Sequence, residues 1–383
     1  MKILHLSHES LPDWRVEKAA ITAIKNGHEV MFAGKFPENY VNRTFSKLYG
    51  IVWTAKARYG IPVYWGRVKK QVASVIQDAR PEIVHAHNIF SAKMISEFDI
   101  PFVYDDHEYW SSHARLLNEI VTNSLSLESG KNLHLLKNRV LRLRRSMINT
   151  HLVHLWSKWE KEIVSLCPTI TVSDPIAEEL RKISQSKKVF VAPNFPFRSE
   201  VGDITKPIVH PNISCTYTGG DGWNKEKYPN RNIDGLTDLF GNGHNIGCLT
   251  VIGWRGPSSK NVRYTGYLNR NQMYSEMCKH SIGLLPWKRH WSHAFVNPNK
   301  TYEYAHAGLF VMCTDSFKAV AETLKGNCAT FKDYSSLISE LEFFQSNPEV
   351  LYDKRFKLFE FARENLIWER NEKGIIQAYQ SCQ

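Results

Sequence analysis

The chain has 383 residues, of which 43% are hydrophobic, 12% aromatic and 23% charged. This composition is typical of a globular protein with material for two or three domains, and it excludes a disordered, collagen-like or coiled-coil chain. Lys and Arg exceed Asp and Glu by 49 to 38, a net charge of +11, which favours anionic partners such as phosphorylated small molecules, anionic membrane surfaces or nucleic acid.

The seven cysteines lie singly along the chain, without a C-x-x-C pair. An odd, dispersed set argues against a disulfide framework and against a zinc site. The N-terminal segment MKILHLSHESLPD turns polar too soon for a signal peptide, and no apolar run approaches the ~20 residues that span a bilayer. We therefore expect a soluble, cytoplasmic protein.

Short apolar segments that are typical of strands alternate with longer amphipathic segments in two blocks. In the first block we predict strands at residues 2–6, 29–33, 62–65, 82–85, 101–104, 169–172 and 189–192. In the second block we predict strands at residues 214–218, 248–252, 262–264, 281–285, 309–313 and 329–331. Near-continuous apolar runs such as TITV and VFVA suit strands that are buried on both faces of a parallel sheet. The alternation predicts an α/β fold with two Rossmann-like, doubly wound parallel-sheet domains.

A stretch rich in Pro, Gly and polar residues, from 194 to 207, separates the two blocks and is typical of a linker. We predict a first domain at residues 1–200 and a second domain at 208–365. Because ligands of open parallel sheets gather beyond the carboxyl ends of the strands, we expect the two domains to face each other across a cleft.

Residues 111–165 form an insertion that is too long for an ordinary crossover between strands. Apolar residues recur in it at helical spacing, at Leu135, Leu136, Val140, Leu143, Met147 and Ile148. Lys and Arg occupy most of the positions between them. Two interpretations stay open: a helix that packs on the core with a solvated basic face, or a basic amphipathic helix that lies on an anionic membrane surface.

The strongest local signal is the segment NPNKTYEYAHAGLFV. Asn297 is a good N-cap, Pro298 fits the first position of a helix, and Gly308 suits the residue just past its end. The free N–H groups at the start of this helix predict an anion site, which Lys300 reinforces. Glu303, one turn later, can accept hydrogen bonds from a diol such as ribose. The alternative is an ordinary capped helix with a Lys–Glu pair.

This segment resembles the K-x-x-E-Y-x-x-x-G-x-P-V segment of GT-B glycosyltransferases that are similar to glycosyltransferase family 4. Further motifs of the first domain resemble the family in the same order, namely D-x-R-V at 13–16, G-H-E-V at 27–30, E-I-V-H-A-H at 82–87, V-Y-D-D-H-E at 103–108, T-V-S at 171–173 and V-A-P-N at 191–194. In the second domain, Y-T-G-G at 217–220 and N-V-R-Y-T-G-Y-L at 261–268 do so too. The resemblance implies the GT-B fold, with the chain end at 366–383 packing back onto the first domain.

For the second domain the resemblance implies a nucleotide-sugar donor site. In it, Glu303 would bind the donor ribose, and Arg231, with Lys225 or Lys227, would hold the donor diphosphate. Lys300, which begins the K-x-x-E segment, joins Arg231 among the predicted catalytic residues. The loops that the resemblance places against the donor contain Gly219, Gly220, Tyr267, Leu268, Phe295, Val296 and Asn297.

For the first domain the resemblance implies the acceptor side. His107 matches a histidine that lies near the transferred sugar, and it is the third predicted catalytic residue. Asp13, Arg15 and His87 would line the acceptor side, and we place Asp105 there as well. Asp105 can act as a general base if the transfer inverts the sugar configuration, or it can simply form hydrogen bonds at the end of its strand.

The resemblance implies a glycosyltransferase that moves a sugar from a nucleotide-activated donor to a glycan or lipid-linked acceptor. We expect a metal-independent, retaining reaction at the cytoplasmic face of the membrane, with peripheral contact to anionic lipid and no bound cofactor. Fixed cations and a helix N-terminus can stabilise the departing nucleoside diphosphate without a metal, and the chain contains no D-x-D motif.

One departure from the family keeps other functions open. Relatives with an E-x7-E motif carry their first glutamate at the position that Phe295 occupies here. The alternatives are a catalytically degenerate GT-B protein that binds nucleotide sugar and acts with a partner, or a GT-B nucleotide-sugar epimerase. No nucleic-acid-binding module is recognisable, so nucleic acid is not a predicted partner.

Overall fold

The computed structural model describes residues 1–126, 134–202, 204, 206–210, 212–219, 229–241 and 246–382. The chain divides into two compact units, one of Met1–Asn194 with Glu372–Gln383 and one of Phe195–Asn371. We refer to them as the first and the second domain.

In the described part of the first domain, seven parallel strands form one sheet in the order β3-β2-β1-β4-β5-β6-β7. The strands are β1 (Lys2–Ser10), β2 (Glu29–Lys35), β3 (Lys47–Gly50), β4 (Ile83–His87), β5 (Phe102–Asp106), β6 (Thr169–Thr171) and β7 (Val189–Val191). The helices that connect them are α1 (Trp14–Lys25), α2 (Ala55–Arg58), α3 (Pro62–Ala79), α4 (Asn88–Ile95), α5 (Trp110–Ser126), α6 (His134–Leu166) and α7 (Asp174–Ser184). The strand order reverses beside β1, as in Rossmann-like folds.

The second domain repeats this architecture, with six parallel strands among its described residues in the order β10-β9-β8-β11-β12-β13. They are β8 (Ser214–Thr218), β9 (Cys248–Ile252), β10 (Val262–Tyr264), β11 (Ile282–Leu285), β12 (Phe310–Thr314) and β13 (Cys328–Phe331). Its helices are α8 (Arg198–Val201), α9 (Leu236–Gly241), α10 (Arg270–Met277), α11 (Asn299–His306), α12 (Lys318–Thr323), α13 (Tyr334–Ser346), α14 (Pro348–Asn365) and α15 (Trp368–Asn371). The predicted pair of Rossmann-like parallel-sheet domains is therefore confirmed.

The central strands are buried on both faces, which is why they read as short apolar runs. Every residue of β4 and of β12 is buried. Close packing of a helix on a strand is visible at Gly283 of β11, where a Cβ would lie 2.3 Å from the Tyr304 ring of α11. This contact holds α11, which carries the strongest sequence motif, against the sheet.

One strand prediction was wrong, and one strand was not predicted. Residues 62–65 begin helix α3, because Pro62 occupies the first helical turn and the buried residues Val68, Val72 and Val75 follow at helical spacing. The short edge strand Lys47–Gly50 was not predicted, since its four residues are exposed or half-buried and carry no apolar run.

The boundary between the domains differs from the prediction by several residues. Residues 195–200 and 366–371, which we assigned to the first domain, belong to the second. These two segments are hydrogen-bonded to each other. The Trp368 N–H donates to the Pro196 carbonyl at 2.8 Å, and the Arg198 N–H donates to Glu369 Oε1 at 3.1 Å. The last helix, α16 (Lys373–Gln380), lies in the first domain, where a Cβ at Gly374 would sit 2.6 Å from the Val191 carbonyl oxygen of β7.

The insertion forms the helices α5 and α6, which pack against each other. In α6 the side chains of Leu143, Met147 and Ile148 are exposed, by 62%, 73% and 38%, whereas Leu152 further along the helix is buried. The side chains of the other members of the predicted stripe, Leu135, Leu136 and Val140, lie outside the described residues. Throughout the described ranges, helices that combine the length and the apolar character needed to cross a membrane are absent.

Candidate functional site

Arg231 and Lys300 meet at the carboxyl edge of the second sheet. Arg231 ends a 3-10 turn, Pro229–Arg231, and Lys300 lies in the first turn of α11. The Lys300 ammonium is 4.4 Å from the centre of the Tyr217 ring and 4.9 Å from that of the Trp287 ring. The Arg231 guanidinium lies 5.4 Å from the same Trp287 ring. Both cations are therefore held on aromatic faces, an arrangement that stabilises them by cation–π attraction.

Lys300 is electrostatically unusual. Burial, followed by the nearby charge of Arg231, lowers the pKa of the Lys300 ammonium to about 7, and Glu303 only partly opposes this shift. An anion bound between Lys300 and Arg231 would remove the mutual repulsion of these cations. The geometry is thus prepared for a negatively charged group.

Glu303 lies one turn further along α11. Its Oε1 is 3.6 Å from the Arg270 guanidinium of α10. The charge of Glu303 also acts on Lys300 and, after burial, raises the pKa of the Tyr274 hydroxyl. The structure therefore brings Arg231, Lys300 and Glu303, which are far apart in sequence, to one edge of the second sheet.

The start of α11 differs from the prediction by one residue. The helix begins at Asn299, and Pro298, with φ −65° and ψ 138°, is its N-cap. Asn297 does not cap it, because its Nδ2 donates to Thr323 Oγ1 at 2.6 Å instead. The predicted end is confirmed, since Gly308 adopts a φ of +74° directly after the C-cap.

The remaining donor-side predictions lie along the same edge. The Gly219 N–H donates to the Ile252 carbonyl at 3.0 Å, and a Cβ at Gly253 would lie 1.9 Å from the Gly219 oxygen, so two backbones approach closely there. Tyr267 is 84% exposed, whereas Leu268 packs partly against the core. Phe295 and Val296 are half-buried. Gly220, Lys225 and Lys227 lie outside the described residues.

A cavity of about 290 Å³ adjoins Arg231. It is lined by Trp254 and Tyr264, at the ends of β9 and β10, and by the segment from Arg231 to Gly235. Sequence reasoning did not identify this cavity, because its walls come from three separate loops. Aromatic walls with a small number of fixed polar groups are typical of small-molecule sites.

His293 holds the turn that carries Arg231. Its Nε2 donates to the Asn230 carbonyl at 2.6 Å, and its Nδ1 lies 2.9 Å from Ser316 Oγ. The ring also stacks on Phe317, with 4.2 Å between the ring centres. Its role was not predicted, because the contact joins residues 63 positions apart.

In the first domain, Arg15 and Asp105 form a buried, bidentate ion pair. Arg15 donates from Nε to Asp105 Oδ2 at 3.0 Å and from Nη2 to Oδ1 at 2.8 Å. The same guanidinium donates to the Ala192 carbonyl and to Asn194 Oδ1. Asp13 caps α1, because its Oδ1 accepts from the N–H groups of Arg15 and Val16.

The structure places the predicted acceptor-side residues at different depths. His87 and Asp105 are fully buried and Arg15 nearly so, whereas Asp13 and His107 are half-buried. Of the four residues predicted on the acceptor side, Arg15, His87 and Asp105 are thus buried and only Asp13 is half-buried, so these three do not form an exposed surface. Their acceptor-side role stays a prediction.

Asp105 and His107 set each other's charge. Burial alone would raise the pKa of Asp105, but the Arg15 guanidinium and His107 outweigh it and hold that pKa well below its usual range. Burial alone would lower the pKa of His107, but the Asp105 carboxylate, 3.5 Å from its Nε2, raises it above the ordinary value. His85 donates to the same carboxylate at 3.2 Å and accepts from the Tyr379 hydroxyl at 2.7 Å.

Among the described residues, two sets of three potential metal ligands lie close together. The first set is His5, His85 and His87, and the second is His87, Asp105 and His107. The rings of the first set lie nearly parallel, with interplanar angles of 13–24°, and two of them already contact each other through their nitrogens, with 2.9 Å between His5 Nδ1 and His87 Nε2. In the second set the Arg15 charge already neutralises Asp105 and opposes a cation. Both sets are better described as hydrogen-bonded networks than as metal sites.

No protein-family model matches this chain, and no curated protein is similar to it in sequence. Solved structures do match it over nearly its whole length. Sucrose-phosphate synthase from Thermosynechococcus elongatus has a TM-score of 0.68 at 12% identity, covering 99% of this chain and 98% of its own. Anabaena HepE in complex with UDP-glucose has a TM-score of 0.62 at 12% identity, with both chains fully covered. A putative UDP-N-acetylglucosamine 2-epimerase from Listeria monocytogenes has a TM-score of 0.54 at 10% identity, covering 95% and 94%. These likenesses establish the GT-B fold.

Proposed function

We propose that this protein is a glycosyltransferase that uses a nucleotide-activated sugar. The observation that carries the proposal is the meeting of Arg231 and Lys300 on the faces of Trp287 and Tyr217, with Glu303 one turn further along α11. Breaking a bond between a sugar and a phosphate leaves a nucleoside diphosphate whose negative charge must be stabilised. Fixed cations in a partly desolvated site provide that stabilisation without reorganising during the reaction.

The donor site lies in the second domain in this proposal. Arg231 and Lys300 hold the diphosphate, Glu303 accepts hydrogen bonds from the ribose hydroxyls, and the cavity lined by Trp254 and Tyr264 receives the base. The match to HepE in complex with UDP-glucose supports a nucleotide sugar as donor. Because cations supplied by the chain balance the diphosphate charge, the proposed transfer needs no metal, and we expect it to retain the sugar configuration.

The acceptor in this proposal is a glycan or a lipid-linked intermediate at the cytoplasmic face of a membrane. In this proposal His107 contacts the acceptor or the transferred sugar; its half-buried position at the edge of the first-domain network is compatible with that role. The exposed apolar side chains of Leu143, Met147 and Ile148, together with the net charge of +11, support peripheral contact with an anionic membrane.

Replacing Glu303 by alanine tests the donor site. We expect the variant to bind a nucleotide sugar more weakly by about 1.5–3 kcal/mol, because the ribose loses hydrogen bonds to a charged group. The matched control is Glu322→Ala, which removes an exposed glutamate from α12 of the same domain. Calorimetric titration of both variants with the same donor gives the comparison, and unchanged donor affinity in Glu303→Ala would refute the assignment.

A nucleotide-sugar-binding protein without turnover is the second candidate. Phe295, an apolar residue where a carboxylate would face the sugar in some relatives, favours it. An epimerase has the same fold, as the match to the Listeria protein illustrates. Release of a nucleoside diphosphate on addition of acceptor distinguishes transfer from binding alone, and a new epimer of the nucleotide sugar would indicate epimerisation.

A further inference from the structure

A second cavity lies at the carboxyl edge of the second sheet, apart from the cavity that adjoins Arg231. Its volume is about 260 Å³. Its walls come from the ends of β12 and β13, at Thr314 and Phe331, and from the segments that follow β11 and β13. The two cavities share no lining residue. Ligands of open parallel sheets gather beyond the carboxyl ends of the strands, so a ligand is expected at this position.

The floor of this second cavity is aromatic. Phe331 is buried, and Tyr334, the first residue of α13, is half-buried. The hydroxyl groups of the floor are already engaged, because Tyr334 donates to the Pro286 carbonyl at 3.1 Å and Thr314 Oγ1 donates to the Trp287 carbonyl at 3.0 Å. A ligand therefore finds ring surfaces on the floor and has to find its polar partners at the rim.

The carboxylates near the rim have partners of their own. Asp333 lines the cavity and caps α13, where its Oδ1 accepts from the Ser336 N–H at 2.9 Å. Asp315, which does not line the cavity, lies with its Oδ1 2.8 Å from Nε of Arg289. Neither carboxylate therefore occupies the rim as a partner for its lysines.

The rim is positively charged. Lys288 and Arg289 follow β11, Lys332 follows β13, and Asp333 is the one acid among the lining residues, so the lining side chains carry a surplus of two positive charges. Within the described ranges, neither the Lys288 nor the Lys332 ammonium has a carboxylate at ion-pair distance. Both side chains are exposed, so their charges are open to a ligand.

We propose that this second cavity binds a small ring compound that carries a phosphate monoester. The ring lies on Phe331 and Tyr334, and the phosphate lies between Lys288 and Lys332, which bind it as point charges. A phosphate dianion is favoured over a carboxylate because it matches the surplus of two positive charges. A volume of about 260 Å³ lies just below the ~300–1,000 Å³ of sites for drug-sized ligands and suits a compound smaller than a nucleotide sugar.

Neighbouring residues of one loop serve the proposed donor site and the second cavity. The Trp287 ring contacts Arg231 and Lys300, whereas Lys288 lines the second cavity. The Lys288 N–H donates at 2.8 Å to the carbonyl of Asn232, which lines the first cavity. Because the donor site also presents cations, a phosphate probe has two candidate sites, and the experiment has to tell them apart.

The test is a ligand-observed ¹H NMR titration of the full-length protein with phenyl phosphate, without nucleotide sugar. We expect saturable binding that is at least tenfold tighter than that of benzyl alcohol, which has the ring but no charge, and of benzoate. The double variant Lys288→Gln/Lys332→Gln is expected to bind phenyl phosphate about tenfold more weakly, because it removes both free cations of the rim. Lys357→Gln, which replaces an exposed lysine of α14, is the matched control and should bind like wild type. Lys300→Met should also keep the binding, because Lys300 belongs to the other site.

Equal affinity of the wild type and the double variant for phenyl phosphate would overturn the proposal. Loss of binding in Lys300→Met would overturn it as well, because the phosphate would then occupy the donor site. Benzoate or benzyl alcohol binding as tightly as phenyl phosphate would refute the phosphate as the recognised group. Because no nucleotide sugar is present, the result is independent of whether the chain transfers sugar.

Discussion

Arg231→Gln and Lys300→Met are each expected to lower turnover by about 10²–10³-fold, the loss seen when one preorganised group that stabilises a developing negative charge is removed. In both variants the departing diphosphate loses a cation that the aromatic faces of Trp287 and Tyr217 hold in place. Release of nucleoside diphosphate at saturating donor measures the effect. Arg289→Gln is the matched control, because Arg289 is an exposed arginine of the same domain whose guanidinium pairs with Asp315.

Lys300→Met is also expected to change stability, in the opposite direction to activity. The pKa of Lys300 is about 7 in the folded protein and near 10.5 when unfolded. Between these values the unfolded chain binds the proton that the folded chain releases, so the wild-type free energy of unfolding rises with pH across this window. At pH 7 and below, Lys300→Met removes a buried charge and should unfold at a higher temperature than wild type. A Lys300→Met variant that loses activity and also unfolds at a lower temperature than wild type would contradict this account.

Asp105→Asn is expected to destabilise the first domain by about 3–5 kcal/mol at neutral pH, because it leaves the Arg15 guanidinium buried without its carboxylate partner. The pKa of Asp105 is depressed in the folded state. Its stabilising contribution is therefore present above the unfolded-state pKa of about 3.9 and is lost as the pH falls through the folded value. Denaturant unfolding should show a large difference in the free energy of unfolding between wild type and Asp105→Asn at pH 7. This difference should become smaller in acid.

The control for this prediction is Asp78→Asn in the same domain. Asp78 also pairs with a cation, Lys47, but both side chains are 56% exposed, so solvent screens the pair. We expect no measurable change in unfolding for this variant. If Asp105→Asn and Asp78→Asn lowered the free energy of unfolding by the same amount, burial of the Arg15–Asp105 pair would add nothing to its effect on stability.

Sequence patterns predicted the features that depend on local periodicity. Strands such as β4 and β12 are buried on both faces, so their apolar runs stand out, and the helix before Gly308 carries its own end signal. The strand predicted at residues 62–65 is the first turn of a helix instead. A short apolar run of four residues is equally compatible with a strand and with the first turn of a helix.

The features that sequence patterns missed depend on pairing across the sheet. Arg15 and Asp105 are 90 residues apart, and His85 meets Tyr379 across 294 residues. His5 lies in an apolar strand, where nothing local distinguishes a network member from an isolated buried histidine. Only the register that sets β1 beside β4 brings His5 next to His85 and within reach of His87.

Calorimetric titration of the wild-type protein with a panel of nucleotide sugars, at about pH 8 in buffers of different ionisation enthalpy, tests the central claim most directly. At that pH a Lys300 with a pKa of about 7 is mostly neutral, and binding of a diphosphate should protonate it. The account predicts that one class of nucleotide sugar binds with uptake of up to one proton, and that Lys300→Met abolishes the uptake. Failure of every nucleotide sugar in the panel to bind would contradict it.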